Sequence, residues 1–240
     1  LEQMTAQERY DLGVSYFREG RFDEAITAWS SIRRSDDPEI YAWAQLGLGD
    51  TYKDQGEPEQ AIKTWSNISH DDNPETYAWA QFNLGHTHES LGLRDEAIAT
   101  WSNIRRDDHV PVYAWTQFSL GGAYKNQGRL DEAIAAWSEV YCDDDPDAYA
   151  WAQLSLGNTY ENLDKLDQAI ETWSNIRHDD NPKAYAWAQL SLGTAYHVQN
   201  KLDQAIKAWS NIQHKDDHDA YVKAQTGLGL IYYAQNKLDQ

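Results

Sequence analysis

The chain has 240 residues, 39 of them acidic and 20 basic, and a formal net charge of −19 at pH 7. A field of that sign repels nucleic acid and anionic lipid and favours cationic partners, so neither nucleic acid nor membrane is an expected partner. No stretch approaches the roughly 18 apolar residues of a membrane span, and the single cysteine, Cys142, leaves no internal disulfide framework; a cytoplasmic location is the default expectation.

From its first residues the sequence repeats itself. Trp29, Trp65, Trp101, Trp137, Trp173 and Trp209 stand 36 residues apart, and Trp43, Trp79, Trp115, Trp151 and Trp187 keep the same step. These two columns hold all 11 tryptophans. The period predicts six full repeats starting near residues 5, 41, 77, 113, 149 and 185 and a partial seventh over 221–240, forming one continuous array over 1–240.

Each repeat reads as two helices. Asp145-Pro146, Asn73-Pro74 and Asn181-Pro182 supply an N-cap and a proline for the first helical position. The first helix then carries apolar residues at helical spacing, as at Tyr149, Leu156 and Tyr160. Its predicted stops are Gly20, Gly56, Gly92 and Gly128, then Asp164, Asn200 and Asn236, residue types that tolerate a left-handed backbone. The second helix opens with acids and buries Ala169, Ile170, Trp173 and Ile176 or their equivalents on one face. Arg33-Arg34, Arg105-Arg106, Arg177-His178 and His214 are expected at its negative end. Gly13, Gly49, Gly85, Gly121, Gly157, Gly193 and Gly229 lie inside the first helix, where glycine costs about 1 kcal/mol relative to alanine. Close approach of the partner helix is the expected compensation.

Leu156-Gly157, Tyr160, Ala169 and the aromatic Trp173 resemble the tetratricopeptide repeat, and the resemblance covers the whole chain. It departs from the family in its 36-residue period, where 34 is usual, and in glutamines such as Gln45 and Gln153 where a large aromatic is usual. The resemblance implies an all-α, right-handed α-solenoid superhelix of stacked antiparallel helix pairs, first helices lining the concave side. Stacking is also required physically, since a single repeat cannot bury its apolar face.

No catalytic constellation can be proposed, so the chain is not expected to be an enzyme. The glycine-rich LGLG at 46–49 and GLGL at 227–230 lie inside helices with no preceding strand, the wrong context for a phosphate loop. The carboxylates of CDDDP at 142–146 lack calcium-loop spacing and read as helix-capping loops. Cys142 reads as an inert residue at a helix end without a local partner. No metal and no cofactor are expected.

The second-helix tryptophans read as core. The first-helix column has two readings: an apolar ladder in the concave groove, or packing onto the preceding repeat. In the groove reading Trp43, Trp79, Trp115, Trp151 and Trp187 share a face with Leu46, Phe82, Phe118, Leu154 and Leu190. One turn further stand Asp50, His86, Asn158 and Thr194, and beyond them Glu89, Lys125, Glu161 and His197, which vary while the framework does not. These 18 residues are the partner-binding candidates. The basic companions of a carboxylate clamp are missing. The function expected is therefore a scaffold for protein–protein interaction, holding a peptide or partner segment with basic and apolar residues. The alternatives are a structural, self-associating array, the sensor arm of a signalling protein, or a consensus-like engineered array. Lys237-Leu238-Asp239-Gln240 repeats the opening of a second helix, which leaves the apolar seventh first helix bare and suggests self-association through it.

Overall fold

The computed structural model describes Leu1 and residues 3–238. Among the described residues the chain is all-helical: α1 (Ala6–Arg18), α2 (Phe22–Ser30), α3 (Pro38–Asp54), α4 (Pro58–Trp65), α5 (Pro74–Ser90), α6 (Arg94–Trp101), α7 (Val110–Asn126), α8 (Leu130–Ser138), α9 (Pro146–Asn162), α10 (Leu166–Ser174), α11 (Pro182–Val198), α12 (Leu202–Ser210) and α13 (His218–Leu238). The helices fall into two compact units, Leu1–Thr116 and Gln117–Gln240. In the first, α1 pairs with α2, α3 with α4 and α5 with α6, while α2 and α4 also pack on the next first helix. In the second, α9–α10 and α11–α12 pair, and α8, α10 and α12 lie against α9, α11 and α13.

The helix boundaries follow from local chemistry. Asp37, Asn73, Asp145 and Asn181 each accept a hydrogen bond at Oδ1 from the amide three residues on, and proline takes the first helical position. Such a cap contributes about 1 kcal/mol. The first helices stop at left-handed residues: glycines with φ of 75–79°, then Asp164 at 57° and Asn200 at 59°. Asn236 breaks the pattern, because α13 runs through it to Leu238. A left-handed stop gives up helical hydrogen bonds in exchange for docking of the next helix, and no next helix follows among the described residues. The second helix expected at 237–240 is therefore not begun at Lys237 or Leu238, and Asp239 and Gln240 lie outside the described residues.

The second-helix tryptophans are the core, each exposed by 5% or less. Trp65 Nε1 donates to the Leu46 carbonyl at 3.3 Å, and Trp29, Trp101, Trp137 and Trp209 donate to the residue 19 back in the same way. The indole can lie on the first helix only because a glycine is there: a Cβ built on Gly49 would overlap Nε1, Cδ1 and Cε2 of Trp65. Gly13, Gly85, Gly121, Gly157 and Gly193 stand in the same relation to their own tryptophans. What offsets the helical glycine is thus the seat of an indole ring.

The second helices end earlier than expected, at Ser30, Trp65, Trp101, Ser138, Ser174 and Ser210. Ile176 is buried in the turn beyond, and the basic residues assigned to the helix end also lie in that turn. Arg105 and Arg177 pair with Asp108 and Asp180 of their own turn, and others reach aspartates of the following inter-repeat loop. Arg34 Nε meets Asp72 at 2.9 Å, His70 Nε2 meets Asp108 at 2.8 Å and His178 Nε2 meets Asp216 at 3.0 Å. Each also rides on the tyrosine opening the next first helix, as His70 on Tyr77 with ring centroids 5.5 Å apart. Cys142 occupies the same place. Its partners come from the next repeat: Sγ lies 3.1 Å from Arg177 Nη2 and 3.6 Å from Asp180 Oδ1. Burial pushes the Asp180 carboxyl up, but hydrogen bonds from the Arg177 side chain and amide outweigh it and hold the group below its ordinary range.

Candidate functional site

In each of the two units the candidates stand on the first helices. Leu46 and Leu154 are buried, while Phe82, Phe118 and Leu190 are half-buried. Above them Trp43, Trp115, Trp151 and Trp187 are half-buried and Trp79 is 36% exposed. The column therefore differs from the core tryptophans by keeping part of each ring in solvent.

Packing holds the other part. Trp43 rests on the cluster of Ala42, Leu46 and Trp65, and Trp151 and Trp187 rest on the cluster around Trp173. Trp79 lies edge-on to Phe82 at 6.2 Å between centroids and 5.7 Å from the His109 ring. Trp187 is hydrogen-bonded to Asp217 and carries Lys223 Nζ 4.6 Å above its ring. His109 and Asp217 are the capping residues of the next first helix, whose amides at Val112 and Ala220 they receive. The two extra residues per repeat thus help to build a loop against which these indoles lean.

The next turn of the face touches the core indoles. Asn158 Oδ1 accepts the Trp173 Nε1 hydrogen at 3.1 Å, replacing the backbone acceptor used elsewhere. His86 sits 4.5 Å from the Phe82 ring and 4.9 Å from Trp101, and burial, with Lys53 nearby, holds its imidazole pKa down. Asp50 accepts from Asn83 Nδ2 at 2.9 Å and from Trp65, yet burial pushes its carboxyl up to about 6. Thr194 is exposed and returns its hydroxyl to the Leu190 carbonyl. Variation at Asp50, His86 and Asn158 is therefore matched to an indole edge, which sequence spacing does not reveal. Lys125, Glu161 and His197 are exposed and Glu89 is half-buried, 3.7 Å from His86.

Within the first unit these helices line an open cleft of about 320 Å³. Tyr10, Val14, Phe17 and Arg18 come from α1, Trp29 from α2, and Trp43, Leu46, Gly47 and Asp50 from α3. An ionised carboxylate at such an apolar wall is unfavourable, which sets the sign of a pH effect. The folded pKa of Asp50 is raised, so the folded state binds more protons than the unfolded chain between about pH 4 and 6, and stability falls as pH rises through that window. Asp50→Asn is expected to stabilise the protein at pH 7 by about 1–3 kcal/mol and to make no such difference at pH 3.5. Chemical denaturation of both proteins at the two pH values checks this; equal midpoints at pH 7 would contradict it.

Among the described residues no group of three or more His, Cys, Asp or Glu is placed to hold a metal ion, and no helix is long and apolar enough to cross a membrane. The family model described as Tetratricopeptide repeat matches residues 10–67 and 82–149, just over half of the chain.

The chain belongs to the tetratricopeptide repeat family. Proteins of this fold typically mediate protein–protein interactions and are generally non-catalytic scaffolds. The crystal structure of MamA is similar at 26% identity, over 68% of this tetratricopeptide-repeat chain and 91% of that one, with a TM-score of 0.53. The C-terminal part of a TPR repeat-containing protein from Cytophaga hutchinsonii has a TM-score of 0.70 at 16% identity, covering 93% of this chain and 88% of that one. The Cut9–Hcn1 hetero-tetramer of APC/C is similar at 17% identity and a TM-score of 0.55, over 93% of this chain and 43% of that one. The last two likenesses show the fold alone. Comparison with curated protein sequences finds no match.

Proposed function

We propose that this tetratricopeptide-repeat protein is a non-enzymatic scaffold that holds a partner segment against its first-helix tryptophans. The observation that carries the reading is the contrast between the two columns: second-helix indoles are sealed at 5% exposure or less, whereas Trp79 is 36% exposed and its column half-buried. Apolar surface kept in solvent at regular intervals is what a binding face offers. The partner is a segment with apolar anchors flanked by lysine or arginine. Net charge of −19 favours it, and Lys223 on the Trp187 ring is an internal instance of the contact.

A pulldown with the chain as bait identifies partners, and titration at low and high salt tests the class. Affinity is expected to fall with salt, because a basic segment on an acidic surface is screened over a Debye length of about 8–10 Å near physiological strength. Affinity unchanged or improved by salt would leave a purely apolar contact and remove the cationic partner.

A further inference from the structure

Helix α5, the first helix of the third repeat, lies wholly within the first unit. Glu75, Trp79, Phe82, His86 and Glu89 follow one another along it at steps of three and four residues, which sets them in one stripe. The rings are continuous, with centroids 6.2 Å apart for Trp79 and Phe82 and 4.5 Å apart for Phe82 and His86. An acid closes each end of the row. At a helical rise of about 1.5 Å per residue, the backbones of Glu75 and Glu89 are about 21 Å apart. Trp79, at 36%, is the most exposed ring of its column.

Both carboxylates keep room for a cation. Among the described residues each has an imidazole beside it, beyond hydrogen-bond distance: His109 Nε2 lies 3.6 Å from Glu75 and His86 Nδ1 lies 3.7 Å from Glu89. Neither imidazole neutralises its acid. His109 Nδ1 accepts the Val112 amide and so carries no proton, and burial, with Lys53 nearby, keeps His86 uncharged at pH 7. The other first helices depart from this arrangement. The same register holds a lysine at one end in α3, α7 and α11 (Lys53, Lys125 and Lys183). In α9 both ends are acidic, but Asp147 accepts from Asn181 at 2.8 Å, and Leu154 and Asn158 interrupt the rings.

Resting on the scaffold reading above, we propose that α5 sets the partner's residue spacing: it takes an extended segment with two arginines six residues apart and apolar residues between them. An extended chain rises about 3.3 Å per residue, so six residues span the distance between the two acids, and alternate side chains face the helix. The apolar residues at the third and fifth places of such a segment lie on the Trp79–Phe82 row, and the arginines at its first and seventh places reach Glu75 and Glu89. Arginine suits the ends because its planar fork donates two parallel hydrogen bonds to a carboxylate while its stem covers a ring edge.

The probe is the end-capped peptide Arg-Ser-Leu-Thr-Leu-Ser-Arg, titrated into the full chain by calorimetry. The wild-type chain is expected to bind it. Glu75→Gln and Glu89→Gln are each expected to weaken binding about threefold to tenfold with the fold retained, whereas Glu161→Gln in α9 leaves it unchanged. A peptide of the same composition with its arginines adjacent reaches one acid at a time and is expected to lose at least as much as one glutamine change does. Equal binding of the two peptides, no loss in either glutamine variant, or failure of the wild-type chain to bind overturns the proposal. Equal weakening by Glu161→Gln would reduce the effect to net charge and also overturns it. Loss of binding in Trp79→Ala with none in the glutamine variants removes the spacing rule and leaves the tryptophan reading standing. Binding indifferent to all three changes removes both.

Discussion

Trp173→Ala lowers stability by about 3–5 kcal/mol. The ring is fully buried in a cluster drawn from α9, α10, the turn after it and α11, including Ala150, Leu154, Ala169, Ile176, Ala188 and Leu192. It is therefore the joint of its own helix pair and of that pair with the next. Truncation opens a cavity at that joint and also strands the Asn158 Oδ1 that accepts its N–H. Because each repeat contacts only its neighbours, the loss weakens coupling along the array as well as the local pair. The measurement is the denaturant midpoint. A shift worth less than about 1 kcal/mol would mean that the joint is held by something other than the indole.

Gly49→Ala is also destabilising, by about 1–3 kcal/mol, even though alanine is worth about 1 kcal/mol more than glycine inside a helix. The added methyl falls within the Trp65 indole, a rigid ring with no exposed surface and no room to turn. Gly122→Ala is the matched control, in α7 with nothing within 4 Å of the new methyl, and it is expected to be neutral or stabilising. Combining Gly49→Ala with Trp65→Ala should cost less than the two changes added together, since removing the ring removes the overlap. If Gly49→Ala proves as benign as Gly122→Ala, the indole seat is not what retains these glycines.

Periodicity made most of the fold legible. The caps at Asn73, Asp145 and Asn181, the stops at Gly56 and Asp164, and the buried tryptophan column are all local or strictly periodic signals, and they stand where the sequence puts them. Three features were not legible, each for a physical reason. Close approach of a helix was foreseen at Gly49, but whether backbone or a side chain fills the gap depends on a rotamer. Arg34 and His178 suit a helix terminus in sequence; their actual partners, Asp72 and Asp216, are 38 residues away across a repeat boundary. Asn236 is chemically able to stop a helix, yet α13 runs through it to Leu238, with no further helix among the described residues. At the candidate site the contact of Trp79 with Phe82 was legible from i, i+3 spacing. The contact of Asp50, His86 and Asn158 with core indoles was not, because it requires knowing which edge of each ring faces the first helix.

The two tryptophans of one helix pair offer the most direct test of the claim that the columns do different work. Trp151→Ala and Trp173→Ala would be compared for denaturant midpoint and for capture of the partner segment recovered by the wild-type chain. Trp173→Ala is expected to lose about 3–5 kcal/mol of stability, whereas Trp151→Ala loses clearly less, stays folded and loses capture. Equal destabilisation by the two changes, or undiminished capture by folded Trp151→Ala, would contradict the account and make the first-helix column a packing device alone.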